Sequence, residues 1–488
     1  MKFSIIALFF MSLNAMSQPR PRAEFAQQLY QQHDAHREAS IQVRRFKHAD
    51  IQPLIQRLHG QNGFTVTQLG KSIQGREINL VSVGTGPVPV LLWSQMHGDE
   101  ATATMAILDI FRFLNQDHSL GTEKREILSK LTLHFIPMLN PDGAEVWTRR
   151  NALGIDMNRD AAKLQSPESR ILKQVRDSLQ PQVGFNLHDQ RIHYTAGNSA
   201  KPATISFLAP AYDREKSINP VRSRAMKLIA AMSADIAPFI PGGIAKYDDE
   251  HEPRAFGDNI QKWGTSTILI ESGGYPNDPE KQYIRKINFV AMLSSFLAIA
   301  RAEESQYNEA QYWAIPENRT LLRPLVLRNV EFKKANKTSL IDIAWDRREK
   351  TTEDLRHFYY QSQIDDLGDL NTLHGYTEVD CQGLEVKTGH IYPKYIKLLA
   401  QIKELDFKQM LEQGYTAIHY IGNEPLSKEP SPNFPLNILT GPDQRSNQIK
   451  IEHNPDLIFR KNGKFVMAVI NGFVYQADLP WLGNPVVY

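Results

Sequence analysis

The chain contains one cysteine, Cys381, in 488 residues. A lone cysteine forms no internal disulfide, and it cannot build a zinc site from several thiolates. The folded state must therefore be stabilised by its core and by any bound metal, and a metal site has to use imidazole and carboxylate ligands. For Cys381 itself we expect a core or surface position and no catalytic role.

Neither positive nor negative charge is in large excess. The 56 lysine and arginine residues nearly balance the 54 aspartate and glutamate residues, for a formal net charge of +2. A nucleic-acid-binding surface needs a concentrated basic field and a polybasic membrane arm needs a run of like charges, and the sequence has neither. Hydrophobic residues at 41% and charged residues at 23% are normal for a soluble globular protein, and the length predicts two or three domains.

Only the first residues form a conspicuous apolar run. Lys2 precedes the apolar stretch Phe3–Met16, and Ala15 and Ser17 occupy the small-residue positions of a cleavage site. We expect a signal peptide over residues 1–17 and a secreted or periplasmic protein. The alternative is a short membrane anchor, but the stretch is shorter than the ~20 residues that a spanning helix needs. We expect no later membrane span, and the segment before residue 50 is too short for a folded pro-domain.

Strand-like and helix-like patterns alternate through most of the chain before residue 302. Short runs rich in β-branched residues predict strands at 64–68, 77–83, 88–93, 131–138, 183–187 and 267–270. Helical spacing of apolar residues predicts helices at 23–36, 50–59, 100–114, 166–179, 221–237 and 280–302. This alternation indicates an α/β fold with a mixed, mostly parallel sheet flanked by helices. In such sheets ligands bind beyond the carboxyl ends of the strands.

Strand patterns dominate after about Arg319. They lie at 340–345, 384–387, 417–421 and 465–474, with helical spacing at 393–405 and 407–412. We therefore predict a larger α/β domain over residues 18–305, a linker over 306–319 and a smaller strand-rich domain over 320–488. The sequence offers no chemistry that gives the smaller domain a role.

The segment Ser94–Glu100 follows an apolar strand and carries the first candidate metal ligands. His97 and Glu100, three residues apart across the first turn of a predicted helix, can face one point. A second imidazole would complete a three-ligand zinc site that keeps one position open, as a catalytic zinc requires. His188, at the end of the strand at 183–187, is our candidate for that imidazole.

Other histidines weaken a prediction from the short His-x-x-Glu pattern alone, because the chain has 15 of them. His193 follows His188 in a polar loop and is a rival ligand. We expect His134, inside a strand, to be a core or sheet-face residue, and His251, among acidic residues, to be solvated.

Further motifs follow these ligands in a fixed order. They are Gly70–Arg76, Arg149–Asn151, Gly154–Arg159 and the apolar run Thr267–Ile270 that ends at Glu271. With the two histidine segments, the series resembles the funnelin metallocarboxypeptidases, the family of carboxypeptidase A, over roughly residues 50–300. The resemblance implies a zinc carboxypeptidase-like fold and a metallopeptidase with one Zn²⁺ per chain, held by His97, Glu100 and His188.

The resemblance also implies roles for the remaining motif residues. Glu271 corresponds to the general base and acid, and Arg149 to the arginine that polarises the scissile carbonyl and stabilises the oxyanion. Asn158 and Arg159 correspond to the pair that binds the terminal carboxylate of the substrate, and Asp156 to the carboxylate that orients His97. The chemistry agrees, because a planar guanidinium suits a carboxylate and amide hydrolysis needs a base, an oxyanion partner and a proton for the leaving amine.

The match to the family is looser elsewhere. Tyr247, the only tyrosine in the region before Glu271 where the family places its substrate-capping tyrosine, takes that role, with an ordinary loop position as the alternative. Asp160 and Asp189 stand where many members have uncharged residues, so they would disfavour acidic substrates or attract basic ones. Asp258 lies near the family's specificity position and would favour a C-terminal Lys or Arg.

The leading functional prediction is a zinc-dependent metallocarboxypeptidase that hydrolyses the C-terminal peptide bond of peptides, using a zinc-activated water and Glu271. Two alternatives share the fold, a cell-wall peptide amidase and a zinc N-acyl-amino-acid deacylase. A binding protein that keeps only the outline of a catalytic centre would lack a ligand or the base, and none is missing. Two histidines and a glutamate would also accept other divalent metals.

Overall fold

The structure is a computed structural model that describes residues 21–334, 337–424, 435–443 and 445–476. The predicted signal peptide over residues 1–17 lies outside these ranges.

Helices and strands alternate in the described chain up to residue 319. The helices are α1 (Arg22–His36), α2 (His48–Gln56), α3 (Thr102–Asn115), α4 (Gly121–Lys130), α5 (Pro141–Val146), α6 (Pro167–Leu179), α7 (Pro220–Ile236), α8 (Phe256–Lys262), α9 (Gln282–Ala300) and α10 (Glu309–Trp313), with 3-10 turns at Met157–Arg159 and Glu303–Gln306. The strands are β1 (Thr65–Lys71), β2 (Glu77–Val83), β3 (Val88–Trp93), β4 (Leu131–Ile136), β5 (Val183–Asp189), β6 (Thr195–Ala196), β7 (Ile205–Leu208), β8 (Ile244–Lys246), β9 (Ser266–Ser272) and β10 (Asn318–Arg319).

Eight of these strands form one mixed sheet in the order β1-β2-β4-β3-β5-β9-β7-β8. Its central strands β4, β3, β5 and β9 are parallel, as are β7 and β8, whereas β2 pairs antiparallel with both β1 and β4, and β7 pairs antiparallel with β9. Helices cover both faces, so the predicted α/β fold with a mixed sheet is confirmed.

Alternate residues of the central strands enter two separate cores. In β3, Val90 and Leu92 join the larger core with α1, α3, α7 and α9, while Leu91 and Trp93 join a smaller core with α6 and α8. Because side chains along a strand point to opposite faces, a strand covered on both faces reads as a continuous apolar run. This is why β3, β5 and β9 could be predicted from the sequence.

Several helix boundaries differ from the predictions, and two of the differences bear on predicted residues. The helix expected from residue 100 begins at Thr102, so His97 and Glu100 lie in the turn between β3 and α3, where Glu100 N donates to His97 O at 3.2 Å. The helix expected from Asp50 begins at His48, and the Asp50 carboxylate accepts a hydrogen bond from Lys47 N at 2.7 Å.

The described residues after 320 are rich in strands, as predicted. The strands are β11 (Leu322–Lys334), β12 (Lys337–Thr351), β13 (Phe358–Gly368), β14 (His374–Asp380), β15 (Glu385–Thr388), β16 (His390–Ile396), β17 (Tyr415–Tyr420), β18 (Asn437–Leu439), β19 (Leu457–Lys461), β20 (Lys464–Ile470) and β21 (Phe473–Gln476), and the helices are α11 (Leu399–Lys403) and α12 (Phe407–Gln413). They form sheets in the orders β13-β12-β11-β14, β15-β19-β20-β21 and β16-β17-β18. We call residues 322–476 the C-terminal strand region.

One helix prediction in this region was wrong. The segment predicted as a helix at 393–405 is divided between β16 and α11, because β16 pairs in parallel with β17. The predicted linker at 306–319 contains α10 and β10, and β10 pairs with β6 of the α/β part. The domain boundaries at 305 and 320 stay predictions.

Within the described residues, α9 is the one helix that is long and apolar enough to cross a membrane by length and composition. Most of it is buried inside the protein, where it packs in the larger core. The burial of α9 fits a core helix, and the expectation of no later membrane span stays a prediction.

Candidate active site

The three predicted metal ligands meet at one point. His97 and Glu100 lie just beyond the carboxyl end of β3 and His188 lies at the end of β5, its parallel neighbour, so the two strands bring them to the same edge of the sheet. The Nδ1 atoms of the two histidines are 3.1 Å apart. Oxygens of Glu100 lie 2.8 Å from Nδ1 of His97 and 2.7 Å from Nδ1 of His188.

This donor set fits a divalent cation such as zinc. An imidazole nitrogen carries either a lone pair or a proton, and here two such nitrogens and a carboxylate converge on a common centre. Both imidazoles are buried, and Nε2 of His188 has no hydrogen-bond partner among the described residues. In the described part of the chain, this is the one group of three His, Cys, Asp or Glu side chains whose ligand atoms all lie within 4.8 Å of one another.

Asp156 and Arg149 border the ligands. Asp156 Oδ1 lies 3.1 Å from His97 Nε2, and its Oδ2 accepts from Arg149 Nε at 3.0 Å. Burial opposes the charge of Asp156, but hydrogen bonds and charge from His97 and Arg149 hold the pKa of its carboxyl below the ordinary value. Arg149 NH1 lies 3.2 Å from Glu100 Oε1, and the side chain is 42% exposed, so it reaches the ligands from the open side.

Glu271 lies next to the ligands on the neighbouring strand. It occupies β9 at the register position opposite His188 in β5. Burial raises the pKa of the Glu271 carboxyl well above its ordinary value, and the nearby Glu100 and Asp189 carboxylates raise it further, against the charges of Lys281 and Arg149. Its Oε2 is buried and has no hydrogen-bond partner among the described residues, so this oxygen is free to exchange a proton.

Tyr247 lies in the neighbourhood of this site. Its backbone N–H donates to Phe207 O at 2.9 Å just beyond β8, and its ring packs edge-on against Tyr194. Burial raises the pKa of the Tyr247 hydroxyl, and the Glu271 and Glu100 carboxylates are near enough to raise it further. Its role as the substrate-capping tyrosine and the alternative of an ordinary loop position both stay predictions.

Asn158 and Arg159 lie together in the 3-10 turn Met157–Arg159. Asn158 Oδ1 accepts from Phe256 N at 2.9 Å, which fastens the turn to α8. Arg159 is 39% exposed, and its Nε pairs with Glu252 at 3.1 Å, while Arg254 binds both oxygens of Glu252. No sequence pattern indicated Glu252 and Arg254, because they lie in a charged loop without a motif.

The alternative histidines have other partners. His193 Nε2 lies 2.8 Å from Asp346 Oδ1 in the C-terminal strand region, so this rival ligand points away from the cluster. His134 Nδ1 lies 2.8 Å from Ser82 Oγ in the sheet, as expected of a sheet residue. His251 is not solvated as expected, because its side chain is 14% exposed and Nδ1 lies 3.2 Å from Asp258 Oδ1.

The three extra aspartates near the motifs make contacts within the protein. Asp160 accepts from Gln165 N at 2.8 Å and Ser166 N at 2.9 Å before α6. Asp189 accepts from Lys281 Nζ at 3.0 Å, and Asp258 Oδ1 accepts from Glu252 N at 3.0 Å. Because these contacts engage their charge, we propose no preference for basic substrates.

Comparisons with known proteins agree with this geometry. The sequence profile of the zinc carboxypeptidase family matches residues 54–195. Human carboxypeptidase Z is 28% identical over 123 residues, which are 21% of this chain and 19% of that protein. An uncharacterized protein of Zymomonas mobilis is 28% identical over 127 residues, which are 26% of this chain and 33% of that protein. The chain thus spans between a fifth and a third of the length of these curated relatives.

Solved structures of carboxypeptidases are also similar. A metallo-carboxypeptidase from Burkholderia cenocepacia is 16% identical, with a TM-score of 0.44 over 53% of this chain and 70% of that chain. A metallo-carboxypeptidase from Pseudomonas aeruginosa, solved in complex with (2-guanidinoethylmercapto)succinic acid, is 21% identical, with a TM-score of 0.40 over 53% of this chain and 70% of that chain.

The motif region is similar in sequence to that of zinc carboxypeptidases, and it lies in an α/β fold. Residues 54–195 match the zinc carboxypeptidase family, which confirms over that region the resemblance predicted from the sequence.

Proposed function

We propose that the protein is a zinc-dependent metallocarboxypeptidase that hydrolyses the C-terminal peptide bond of peptides. The observation that carries the proposal is the convergence of His97, Glu100 and His188 beside Glu271, a buried carboxylate with a free oxygen. An exported location is part of the proposal and rests on the leader sequence at residues 1–17.

His97, Glu100 and His188 would hold the zinc, and Asp156 would keep the His97 ring in place through its Nε2 atom. Zinc, when bound there, supplies Lewis-acid polarisation of the scissile carbonyl and acidification of water.

Glu271 is the proposed base and acid. A carboxylate with a raised pKa holds a proton more strongly than usual, which suits a group that takes a proton from the attacking water and then delivers it to the leaving amine. Its burial excludes bulk water, so the proton stays between the reacting groups.

Two arginines would bind different parts of the substrate. Arg149, which borders the ligands from the open side, would stabilise the oxyanion that forms on the scissile carbonyl. Arg159, with Asn158 beside it, would bind the terminal carboxylate of the peptide, and Tyr247 would cap the substrate. A substrate with a free C-terminus would supply the carboxylate that Arg159 binds, which makes the proposed activity that of an exopeptidase.

The test is a substrate panel assayed with the zinc-loaded chain and its Glu271→Gln variant. The panel holds peptides with free and amidated C-termini, cell-wall peptides and N-acyl amino acids. We expect single C-terminal residues to be released from the free peptides alone, with a loss of about 10²–10⁴-fold in kcat in the variant at unchanged zinc content. Cleavage confined to the cell-wall peptides or to the N-acyl amino acids would replace the proposal with the corresponding alternative.

A further inference from the structure

Tyr376 in β14 joins the C-terminal strand region to the candidate active site. Its hydroxyl donates a hydrogen bond to Ile192 O at 2.8 Å, in the loop that follows His188. Gly274, in the loop that follows Glu271, packs against the same hydroxyl so closely that a Cβ at position 274 would overlap it. One side chain from the C-terminal strand region thus contacts both loops.

The loop after His188 has further partners in the later part of the chain. His193 Nε2 lies 2.8 Å from Asp346 Oδ1 in β12, and Leu322 N donates to His193 O at 3.1 Å. Strand β6 in the same loop pairs antiparallel with β10. The path of this loop away from His188 is therefore fixed by residues that follow residue 317.

A buried hydrogen-bond network links the same loop to the strand that carries Glu271. Asn318 Nδ2 donates to Gln190 Oε1 at 2.7 Å, and Ser206 Oγ donates to Asn318 Oδ1 at 2.8 Å. Ser206 is the register partner of Glu271 between β7 and β9, and Gln190 N donates to Ser272 O at 3.0 Å. The network therefore connects β10, the loop after His188 and β9.

Arg45 connects the C-terminal strand region to the segment before Arg149. The Arg45 guanidinium lies over the Trp147 ring, 4.7 Å from its centroid. The same guanidinium donates to Glu349 Oε2 and to Thr351 Oγ1 of β12, both at 2.8 Å. The contacts of this region thus reach segments next to a candidate ligand, the candidate base and the candidate oxyanion arginine.

We infer that the C-terminal strand region positions the loops after His188 and Glu271, and that Tyr376 is its main positioning residue. The expected effect on catalysis rests on the proposed function, whereas the statement that this region positions the two loops does not. Loops without a core of their own move when their partners are removed, and a displacement of about 1 Å at a catalytic group can cost about 100-fold in rate.

The test compares three variants of the full zinc-loaded chain. Tyr376→Ala removes the ring and the hydroxyl, Tyr376→Phe removes the hydroxyl alone, and Met467→Ala is the control. Met467 is buried in the core of the C-terminal strand region, so its truncation destabilises that core without touching either loop.

We expect Tyr376→Ala to lower kcat about 10- to 100-fold with KM within about threefold, and Tyr376→Phe to lower kcat by a smaller factor. Met467→Ala should keep kcat within about twofold. Hydrogen exchange of the two loops, measured by mass spectrometry on the same samples, should be faster in Tyr376→Ala than in wild type and unchanged in Met467→Ala.

Three results overturn the inference: unchanged exchange in Tyr376→Ala, faster exchange with unchanged kcat, or an equal loss of kcat in Met467→Ala. If the wild-type chain releases no residue from any peptide, the proposed function fails, and hydrogen exchange of the two loops alone then tests whether Tyr376 positions them. Faster exchange in Tyr376→Ala then upholds the positioning of the loops, and unchanged exchange overturns it.

Discussion

At the candidate metal centre, one side chain holds others in position. Asp156 contacts the His97 nitrogen that points away from the other ligands, and it also binds Arg149. Removal of its carboxylate therefore frees both an imidazole that would hold zinc and the guanidinium beside it. Such partners of a metal-bound imidazole typically contribute 10- to 100-fold to metal affinity.

Asp156→Ala should weaken zinc affinity by about 10- to 100-fold, because the His97 ring loses its orienting partner. The measurement is competition for Zn²⁺ with a chromophoric chelator. Asp160→Ala is the control, since Asp160 is a buried carboxylate of the same segment that binds Gln165 N and Ser166 N and no ligand. Equal affinity losses in the two variants would contradict the role of Asp156.

Arg159→Met should raise KM about 10- to 100-fold for peptides with a free C-terminus and change kcat little. Hydrogen bonds to a charged group are worth about 1.5–3 kcal/mol, and the substrate carboxylate would lose them. Steady-state kinetics on one peptide measures this, with Arg170→Met as control, because Arg170 binds backbone carbonyls of residues 164 and 165. A fall in kcat at constant KM would refute the assignment.

The residues of the candidate site could be predicted from the sequence, whereas the residues that hold them in place could not. His97, Glu100, His188 and Glu271 follow apolar strands, and their types and order have chemical meaning in the sequence. No sequence motif indicates the role of Lys281, because its partner Asp189 lies 92 residues earlier in the chain. Its position at the N-cap of α9 has φ of 50°, a left-handed conformation that costs a non-glycine residue energy.

At the scale of elements, Lys281 ties the start of α9 to the ends of β5 and β9. Its Nζ donates to Asp189 Oδ2 at 3.0 Å and to Ser272 O at 2.9 Å, and both members of the ion pair have 7% exposed side chains. Asp189 also accepts from Thr102 Oγ1 at 2.6 Å, which adds α3 to the junction. Asp189 and Ser272 directly follow His188 and Glu271 in the sequence, so this junction adjoins a candidate ligand and the candidate base.

Lys281→Met should lower the free energy of unfolding by about 3–5 kcal/mol, because it leaves the Asp189 carboxylate buried without its cation. The double variant Asp189→Asn with Lys281→Met should recover part of this loss. Urea unfolding at a fixed zinc concentration measures both. If the double variant is as unstable as the sum of the two single variants, the side chains are not coupled.

Sequence patterns missed elements of several lengths, from the short strands β7 and β8 to the helix α4 and the long strands β11 and β13. Strands β7 and β8 have four and three residues, and they are specified by pairing with each other and with β9 rather than by a run of their own. The wrong helix at 393–405 has the same cause, since β16 exists through its pairing with β17. Local patterns carry no information about such distant partners.

At the scale of the whole molecule, the C-terminal strand region has its own core. Cys381 is fully buried there with Trp345, Phe459 and Val469. Burial raises the pKa of the Cys381 thiol to about 12, and the neighbouring Asp380 adds to the effect. Strand content in this region could be predicted, but its sheets and its contacts with the α/β part could not, because they join residues far apart in sequence.

The Cys381 thiol should not react with a thiol-specific reagent in the native protein, and one thiol per chain should react after unfolding. A buried thiol with a raised pKa holds little thiolate, the reactive form. The time course of labelling in native buffer and in urea measures this, and a reductant should not change the unfolding curve because no second cysteine exists. Rapid labelling in native buffer would contradict the burial.

Zinc titration back into the chelator-treated chain tests the central claim most directly. The measurement follows release of the C-terminal residue from one peptide by mass spectrometry, together with bound zinc. We expect no release without metal and full recovery at one Zn²⁺ per chain, with no release from the same peptide when its C-terminus is amidated. Release from the metal-free chain, or one bound zinc without release from the free peptide, would contradict it.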